Sequence, residues 1–391
     1  MAHFLKRKGY EGVAVTVPVT VPYERYSTRG AHWFLGQAVR ALVQQSGLAK
    51  EQIDGLTVSS FSLGPDTAVG VTQHLGLSPR WLDHIPTGGA SGVMALRRAA
   101  RAVQAGDAEV VACVAADTNH VDSFRHTLGA FSHFSRDASY PYGAGGPNSM
   151  FAFITAHYMR TYGAKREDFG RIAVAQRSNA LKNPNALFKK PLSLEEYMAA
   201  RPVSDPIHLF DCVMPCAGAE AFLVMSPERA RDLGLPHVLL RGAIERHNAF
   251  SSDPVMVCGG WAMDRDDLYA QAAVKPQDID VLQTYDDYPV IVMMQFEDLG
   301  FCAKGEGPAF VRSHDLTHAG NFPQNTGGAQ LSCGQAGAAG GFIGMTETIR
   351  QLTAQAGERA VKNARYGMVG GFGMVTYDRC LCTGAVILEA A

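Results

Sequence analysis

Apolar positions run without interruption through several short stretches of the chain. The runs at Val110–Ala116 and Ala385–Leu388 contain no charged residue, which is typical of strands covered on both faces. The first run closes the segment Gly92–Asp117, which has a helical pattern, then an Ala-Gly turn, then the strand. Gly341–Gly371 repeats that order of helix, Ala-Gly turn and strand. The pattern therefore predicts an α/β architecture.

A second pair of segments repeats in the same order along the chain. Leu48–Ser60 and Val274–Asp286 each pass from a helix through a short acidic turn into a strand that begins at Ile-Asp. A duplicated α/β unit preserves the order of its elements after its residues have diverged. We therefore predict two βα-rich halves, residues 1–236 and 237–391, with parallel strands and helical crossovers. No low-complexity linker separates the halves, so we expect them to share one interface.

A long excursion interrupts the first half at about residues 120–206. It is rich in Tyr, Phe, Asn, Pro and Gly, and helical patterns occur near Ala152–Tyr162 and Leu194–Ala200. Long excursions in compact domains usually serve as lids or binding loops. We expect this segment to form a cap over a site.

Two glycine-rich turns each lead into a helix. One is Pro86–Leu96 (PTGGASGVMAL), and the other is Ser332–Gly341 (SCGQAGAAGG). If the halves are related by a pseudo-twofold axis, these helix entries face one another across one crevice. Ligands of α/β proteins bind where such turns meet at the carboxyl ends of strands, and helix N-termini favour anionic groups. The duplication thus predicts where the site lies.

Composition excludes several classes of function. The net charge of −2, with 47% hydrophobic and 18% charged residues, is that of an ordinary globular protein and argues against nucleic acid as a partner. No apolar stretch approaches the length of a membrane span, and the start MAHFLKRKGYEGVAV lacks the apolar run of a signal peptide. The eight cysteines are scattered and mostly lie in apolar surroundings, so we expect reduced thiols and a cytoplasmic location.

The motifs resemble the thiolase superfamily, and specifically its sterol-carrier-protein-like branch. Ser178–Ser226 is similar to the loop domain and last strand of the first half in that branch. Gln324–Gly357 (QNTGGAQLSCGQAGAAGGFIGMTETIRQLTAQAG) is similar to its second-half signature. The resemblance covers nearly the whole chain. It implies an α/β/α/β/α layered sandwich with a loop domain, and at least a homodimer.

The family's catalytic residues are almost all replaced. By the resemblance, the nucleophilic cysteine of the Cys-Ala-Ser-Gly elbow falls on Gly89, and the histidine of the Gly-His-Pro motif falls on Gln335. The polar residue of the Asn-Glu-Ala-Phe motif falls on Tyr285, and the second cysteine falls near Gly370. Acyl transfer through an acyl-enzyme needs a nucleophile with an adjacent base, and glycine and glutamine supply neither.

Enolate stabilisation survives these losses. The resemblance to thiolase-type aldolases, which cleave β-hydroxyacyl-CoA side chains of steroids, implies a retro-aldol lyase that needs no cofactor beyond the coenzyme A of its substrate. We expect Tyr285 to act as a base or a hydrogen-bond donor, Gln335 to contact the substrate, and His120 to lie at a strand end as a second candidate base. Backbone donors around Gly89–Ser91 are expected to bind the thioester oxygen. Gly334 and Gly371, the other predicted substrate-binding residues, lie in the second half.

The same resemblance implies a small OB-fold, zinc-ribbon partner protein. Two other functions stay open. One is an acyltransferase or Claisen-condensing subunit with an unusual nucleophile such as Cys333 or Cys380. The other is a catalytically silent subunit that binds acyl-CoA. No metal site is predicted: His314 and His318 have the spacing of helical ligands but no helix signal and no third ligand.

Overall fold

The computed structural model describes residues 9–119, 137, 139–144, 146–376 and 378–391. The strands, in chain order, are β1 (Ala14–Glu24), β2 (Gly55–Ser59), β3 (Trp81–His84), β4 (Val110–Asp117), β5 (Pro202–Ser204), β6 (Ile207–His208), β7 (Ala217–Met225), β8 (His237–His247), β9 (Val281–Gln283), β10 (Tyr366–Val375) and β11 (Cys380–Ala390). The α-helices are α1 (Ala31–Ser46), α2 (Ala68–Leu75), α3 (Ser91–Ala105), α4 (Gly146–Tyr162), α5 (Arg166–Ala180), α6 (Leu194–Met198), α7 (Pro227–Asp232), α8 (Trp261–Ala272), α9 (Pro289–Asp298), α10 (Gly307–Ser313), α11 (Ala329–Cys333) and α12 (Ile343–Leu352).

The main sheet shows the duplication directly. Its nine strands lie in the order β3-β2-β4-β7-β1-β8-β11-β10-β9. Taken from the opposite edge, β9-β10-β11-β8 repeats β2-β4-β7-β1, with no counterpart of β3 among the described strands. The two sets join edge to edge through β1 and β8, where Val15 pairs with Val238. The boundary between residues 236 and 237 stays a prediction.

The expected parallel pairing holds for only part of the sheet. β2 is parallel to β3 and β4, and β9 is parallel to β10, while the other neighbours in the described sheet are antiparallel. The reason lies in the connections. A parallel pair needs a crossover, whereas β10 and β11 are joined by residues 376–379 alone and form a hairpin. β7 follows the long excursion after β4 and runs back beside it.

The helices and the two sets of strands form five layers, as the resemblance implies. Each set of strands is one β layer, and helices lie outside and between the two sets. α1 covers β1, β4 and β7 on one side, and α8 covers β8 and β11 on the other. Between them, α3 contacts β2, β4, β10 and β11, and α12 contacts β1, β7, β9 and β10. These two helices therefore form a middle layer that touches strands of both sets.

The two apolar runs of the sequence lie where they are covered on both faces. In β4, Val111, Cys113 and Ala115 pack against the middle layer, while Ala112 and Val114 pack against α1. Successive side chains of a strand point to opposite faces, so a strand between two helical layers is apolar at every position. The buried side chains of β11 alternate in the same way. One set packs against the middle layer, and the other packs in the outer core, which is the apolar cluster on the side of α8.

The described part of the cap contains more helix than the sequence predicts. α4 begins at Gly146, earlier than the predicted start, and α6 lies at the predicted position. α5 (Arg166–Ala180) was not predicted; its charged and polar residues hide its periodicity, although Phe169, Ile172 and Ala173 are buried. Within the described residues, no helix combines the length and the apolar character needed to cross a membrane.

Candidate active site

The two glycine-rich turns meet in direct contact, as the duplication predicts. The first glycine turn (Gly88–Ala90) leads into α3, and the second glycine turn (Gly337–Gly341) leads into α12. A β-carbon on Gly92 would lie 2.2 Å from the Gly341 carbonyl oxygen, and one on Gly341 would lie 2.7 Å from the Gly89 oxygen. Only glycine permits this approach of two backbones. The contact brings both turns to the floor of one cavity.

That cavity has a volume of about 120 Å³. It opens at the carboxyl end of β4 and at the segment after β9, the edge where α/β proteins bind their ligands. Its wall combines aromatic rings with a few polar groups: Phe61, Ser62, Gly88, Gly89, Asp117, Thr118, Asn119, Pro147, Phe151, Val213, Pro215, Cys216, Tyr285, Asp287, Tyr288, Gln335, Gly337, Phe372, Gly373, Met374 and Val375. None of these described residues is a histidine, lysine or arginine.

Tyr285 fills the place of the missing side chain at residue 89. A β-carbon on Gly89 would lie 2.0 Å from both Cε2 and Cζ of the Tyr285 ring, and 2.4 Å from the Phe372 carbonyl oxygen. The left-handed backbone of this turn lies at Gly88, with φ of 54°. Gly89 is therefore required for space and not for backbone freedom.

The backbone and ring of Tyr285 are both held in place. Gln295 Nε2 donates to the Tyr285 carbonyl oxygen at 2.8 Å, and the Tyr285 N–H donates to Gln295 Oε1 at 3.1 Å. The ring stacks on Phe372, with centroids 6.0 Å apart and planes at 15°. Tyr285, held in this way, is one of the residues that line the cavity.

Gln335 joins Tyr285 to a carboxylate. Its Nε2 donates to Asp287 Oδ1 at 2.7 Å and lies 3.4 Å from the Tyr285 hydroxyl. Burial raises the pKa of Tyr285 well above its usual value of 10.0, and the neighbouring charge of Asp287 raises it further. The phenol is therefore protonated at neutral pH. It acts as a hydrogen-bond donor, and a free tyrosinate base is disfavoured.

Two adjacent aspartates, Asp286 and Asp287, lie in the segment between β9 and α9, and their surroundings differ. Burial raises the pKa of Asp286 and of Asp287 to about 7 each. Asp286 lies behind the wall, where it accepts from the backbone N–H of Gln330 and Leu331, each at 3.0 Å. Asp287 is on the wall itself. Asp287 was not among the residues predicted from the sequence, although an Asp-Asp pair at the carboxyl end of a strand is a signal for such a site.

Asp117 is the second carboxylate among the described residues that line the cavity. Its carboxylate accepts hydrogen bonds from five donors, at 2.6 to 3.0 Å: the hydroxyls of Ser60 and Ser62 and the backbone N–H groups of Phe61, Ser62 and Ala338. Burial raises its pKa, and these hydrogen bonds oppose that rise. Asp117 therefore fastens the loop after β2 to the second glycine turn.

The other predicted substrate-binding residues lie off the wall. Ser91 is buried, and its Oγ lies 3.4 Å from the Ile85 carbonyl oxygen. Gly371 packs against Ala90 and Val93 under the first glycine turn. Gly373 is on the wall, two residues further along the same face of β10, where a β-carbon would meet the Thr87 carbonyl oxygen.

Gly334 and His120 are the remaining predicted site residues. Gly334 lies behind the wall, where a β-carbon would contact Cys216 Sγ at 3.0 Å, and its place on the wall is taken by Gly337. His120 lies outside the described residues.

Of the cysteines that the alternatives require, neither reaches the cavity wall. Cys333 and Cys380 are buried elsewhere, and their thiols donate to the backbone oxygens of Gly327 and Gly373. Cys216 does border the cavity. Burial raises the pKa of the Cys216 thiol well above 9.0, so it is a poor nucleophile at neutral pH.

The spacing of His314 and His318 does not produce a metal centre. His314 stacks on Phe310 with centroids 4.0 Å apart, while His318 lies 3.1 Å from Lys182 Nζ. Across the part of the chain that the structure describes, no three His, Cys, Asp or Glu side chains group as metal ligands.

Comparison with known proteins bears on this geometry. Residues 242–383 match a family described as Thiolase C-terminal domain-like. The chain is 34% identical over 312 residues to a steroid side-chain-cleaving aldolase from Thermomonospora curvata, covering 75% of this chain and 79% of that protein. It is 31% identical over 349 residues to 17-hydroxy-3-oxo-4-pregnene-20-carboxyl-CoA lyase from Mycobacterium tuberculosis, covering 84% and 88%.

A solved structure agrees over almost the whole length. An Ltp2–ChsH2(DUF35) aldolase superposes with a TM-score of 0.83 at 28% identity, covering 97% of this chain and 98% of that chain. With the five-layer fold and the paired glycine turns, these similarities establish the family. The chain belongs to the thiolase superfamily, in the sterol-carrier-protein-like branch that includes steroid side-chain-cleaving aldolases.

Proposed function

We propose that this protein is a carbon–carbon lyase that cleaves a β-hydroxyacyl-CoA thioester by a retro-aldol reaction, without an acyl-enzyme. The observation that carries the proposal is the Tyr285 ring, which fills the space that a side chain at residue 89 would need. The family places its nucleophilic cysteine at that residue. The relatives named an aldolase and a CoA lyase support the same reaction class.

The reaction needs a proton acceptor and a place for negative charge. The β-hydroxyl loses its proton, the bond between Cα and Cβ breaks, and its electron pair passes to the thioester as an enolate that then takes a proton at Cα. The first glycine turn brings its backbone to the wall, and the protonated Tyr285 hydroxyl is a donor beside it. One such donor lowers the barrier by about 3 kcal/mol when it is aimed at the developing oxyanion.

The wall is poorly equipped for acyl transfer. Its one cysteine among the described residues, Cys216, has a raised thiol pKa, and no histidine is among the described lining residues to take the proton. Covalent catalysis by a thiol needs such a base or a depressed pKa. This favours the lyase over an acyltransferase that uses a cysteine of this chain.

The proposal includes protein partners. The solved structure named for two components, Ltp2 and ChsH2(DUF35), supports an association with a small OB-fold, zinc-ribbon protein, as the resemblance implies. The zinc would then belong to that partner. We also propose a homodimer and a reducing, cytoplasmic location, the latter supported by eight free thiols.

The test is product analysis. The purified protein, alone and co-expressed with a candidate partner, is incubated with 17-hydroxy-3-oxo-4-pregnene-20-carboxyl-CoA and with a shorter β-hydroxyacyl-CoA. We expect a ketone and a shortened acyl-CoA in equal amounts by liquid chromatography and mass spectrometry. A complex that binds both thioesters and leaves both intact would contradict the lyase and support a silent binding subunit.

A further inference from the structure

Protonated Tyr285 cannot by itself accept the proton of the β-hydroxyl. Its pKa is raised by burial, so forming a tyrosinate at neutral pH would cost more than the roughly 4 kcal/mol that an ordinary tyrosine requires. A carboxylate is the remaining type of acceptor on the described wall. Two of the described lining residues, Asp117 and Asp287, are carboxylates.

The two carboxylates differ in the number of hydrogen bonds that they accept. Asp117 already accepts from five donors, and protonating it would break the ties between the loop after β2 and the second glycine turn. Asp287 accepts from Gln335 Nε2 at 2.7 Å, and the same nitrogen lies 3.4 Å from the Tyr285 hydroxyl, so the two side chains meet at Gln335. It therefore keeps capacity for another proton.

We propose that Asp287 is the proton acceptor of the reaction, reached through the Tyr285 hydroxyl and held in position by Gln335. This inference rests on the proposed retro-aldol function. As the β-hydroxyl gives its proton to the Tyr285 oxygen, Tyr285 gives its own proton to Asp287. The bond between Cα and Cβ breaks, the β-carbon becomes a carbonyl, and the electron pair forms the enolate.

The proton then returns to the substrate. Asp287 gives it back through Tyr285 to Cα of the enolate, which leaves both side chains as they began. No oxidant, reductant or added reactant is needed. Tyr285 is never a free tyrosinate, so the high pKa of its phenol is no obstacle. The relay therefore removes the difficulty that a lone tyrosine base presents.

The electrostatic surroundings suit Asp287 to this task. Burial raises its pKa to about 7, with a further rise from the charge of Asp286. The charge of Asp287 in turn raises the pKa of Tyr285 and Tyr288 on the same segment and of Cys380 on β11. No cation is among the groups that act on it in the described structure. A general base works best when its pKa lies near the operating pH.

The test compares substitutions of two neighbouring aspartates in the full-length protein, purified with its co-expressed partner. Asp287→Asn removes the proposed acceptor and keeps an oxygen for Gln335. We expect kcat to fall at least 100-fold, KM to change less than threefold, and the acid limb of the pH–rate profile near pH 7 to disappear. Asp286→Asn removes a neighbouring negative charge behind the wall, so its acid limb should persist and move to lower pH.

A double variant separates a relay from independent effects. If Tyr285 and Asp287 act in one step, Tyr285→Phe with Asp287→Asn should be no slower than the slower single variant, within about twofold. Multiplicative losses would overturn the relay. So would an Asp287→Asn enzyme that keeps the acid limb or most of its kcat.

A measurement on the wild-type protein keeps the proposal testable if a variant fails to fold. Single-turnover cleavage in mixtures of H₂O and D₂O should give a bowed dependence on deuterium content, because two protons move together. A linear dependence, or no isotope effect, would overturn the relay. A wild-type complex that does not cleave the thioester at all would instead refute the proposed function.

Discussion

The Tyr285 ring stands where a side chain on Gly89 would have to be, with Cε2 and Cζ each 2.0 Å from an ideal β-carbon. We therefore expect Gly89→Cys to displace the ring or the Phe372 backbone, to lower the melting temperature and to abolish cleavage. A thiol at a helix N-terminus ordinarily has a lowered pKa and is alkylated rapidly, but at residue 89 the Tyr285 ring already occupies the space that the thiol would need.

The matched control for that variant is Gly70→Ala. Gly70 lies in α2 with no atom within 4 Å of an ideal β-carbon, and alanine favours a helix over glycine by roughly 1 kcal/mol. We expect its stability to be unchanged or higher and its activity to be intact, by thermal melts and steady-state rates. A Gly89→Cys protein as stable and active as Gly70→Ala would contradict the packing described here.

Tyr285→Phe should lower kcat at least tenfold, equivalent to about 1.4 kcal/mol, with little change in melting temperature. Tyr269→Phe is the control, since the Tyr269 hydroxyl donates to the Leu299 carbonyl oxygen at 2.8 Å in the outer core. Its loss should cost about 1 kcal/mol of unfolding free energy and leave kcat unchanged. Equal rates for Tyr285→Phe and wild type would remove Tyr285 from the chemistry.

Cys216→Ala should retain cleavage within threefold of wild type, because its thiol pKa is raised and no histidine accompanies it among the described lining residues. Cys333→Ala and Cys380→Ala serve as companions, since both thiols lie off the wall. Steady-state rates at saturating thioester provide the comparison. If one of these substitutions alone abolished turnover in a folded protein, the cysteine acyltransferase would regain support.

The two glycine-rich turns show most clearly what the sequence alone can predict. Glycine-rich helix entries in repeated units predict that Gly89 and Gly341 converge, because a duplication fixes the order of elements and hence their symmetry. It does not fix which atoms face the crevice. Gly371 and Gly373 both belong to the late glycine cluster and lie on the same face of β10, and only their packing against the first glycine turn and α3 decides that Gly373 is on the wall.

Other features could not be predicted from the sequence because they depend on long-range packing. That Tyr285 fills the volume at Gly89 depends on contacts between the two halves and has no local signature. Asp287 was overlooked for a similar reason: its sequence neighbours suggest a polar turn, while tertiary burial raises its pKa to about 7. The antiparallel course of β7 could not be predicted, because the long excursion before it permits either strand direction.

Glu245 should connect stability to pH. Burial alone would raise its pKa, but hydrogen bonds from Arg98 and His247 and the charge of Arg97 lower it to about 2. A pKa below the unfolded value of 4.5 means that its stabilising effect is full above about pH 4.5 and is lost as the pH falls toward 2.

Glu245→Gln should therefore lower the unfolding free energy at pH 7 by about 1–2 kcal/mol, a figure reduced for solvent screening at the partly exposed Arg98. Urea unfolding across pH provides the measurement, and the gap to wild type should narrow in acid. Glu228→Gln, in an exposed pair with Arg231, should have no measurable effect. A gap that stays constant down to the lowest accessible pH would contradict the assignment.

The most direct test of the central claim is the dependence of cleavage on free coenzyme A. A thiolase releases its acyl-enzyme to coenzyme A, whereas a retro-aldol reaction divides the substrate without one. The purified complex is given a β-hydroxyacyl-CoA with all free coenzyme A removed, and ketone formation is followed over many turnovers. We predict undiminished turnover that added coenzyme A does not accelerate. Turnover that stops without free coenzyme A and returns on its addition would contradict the account.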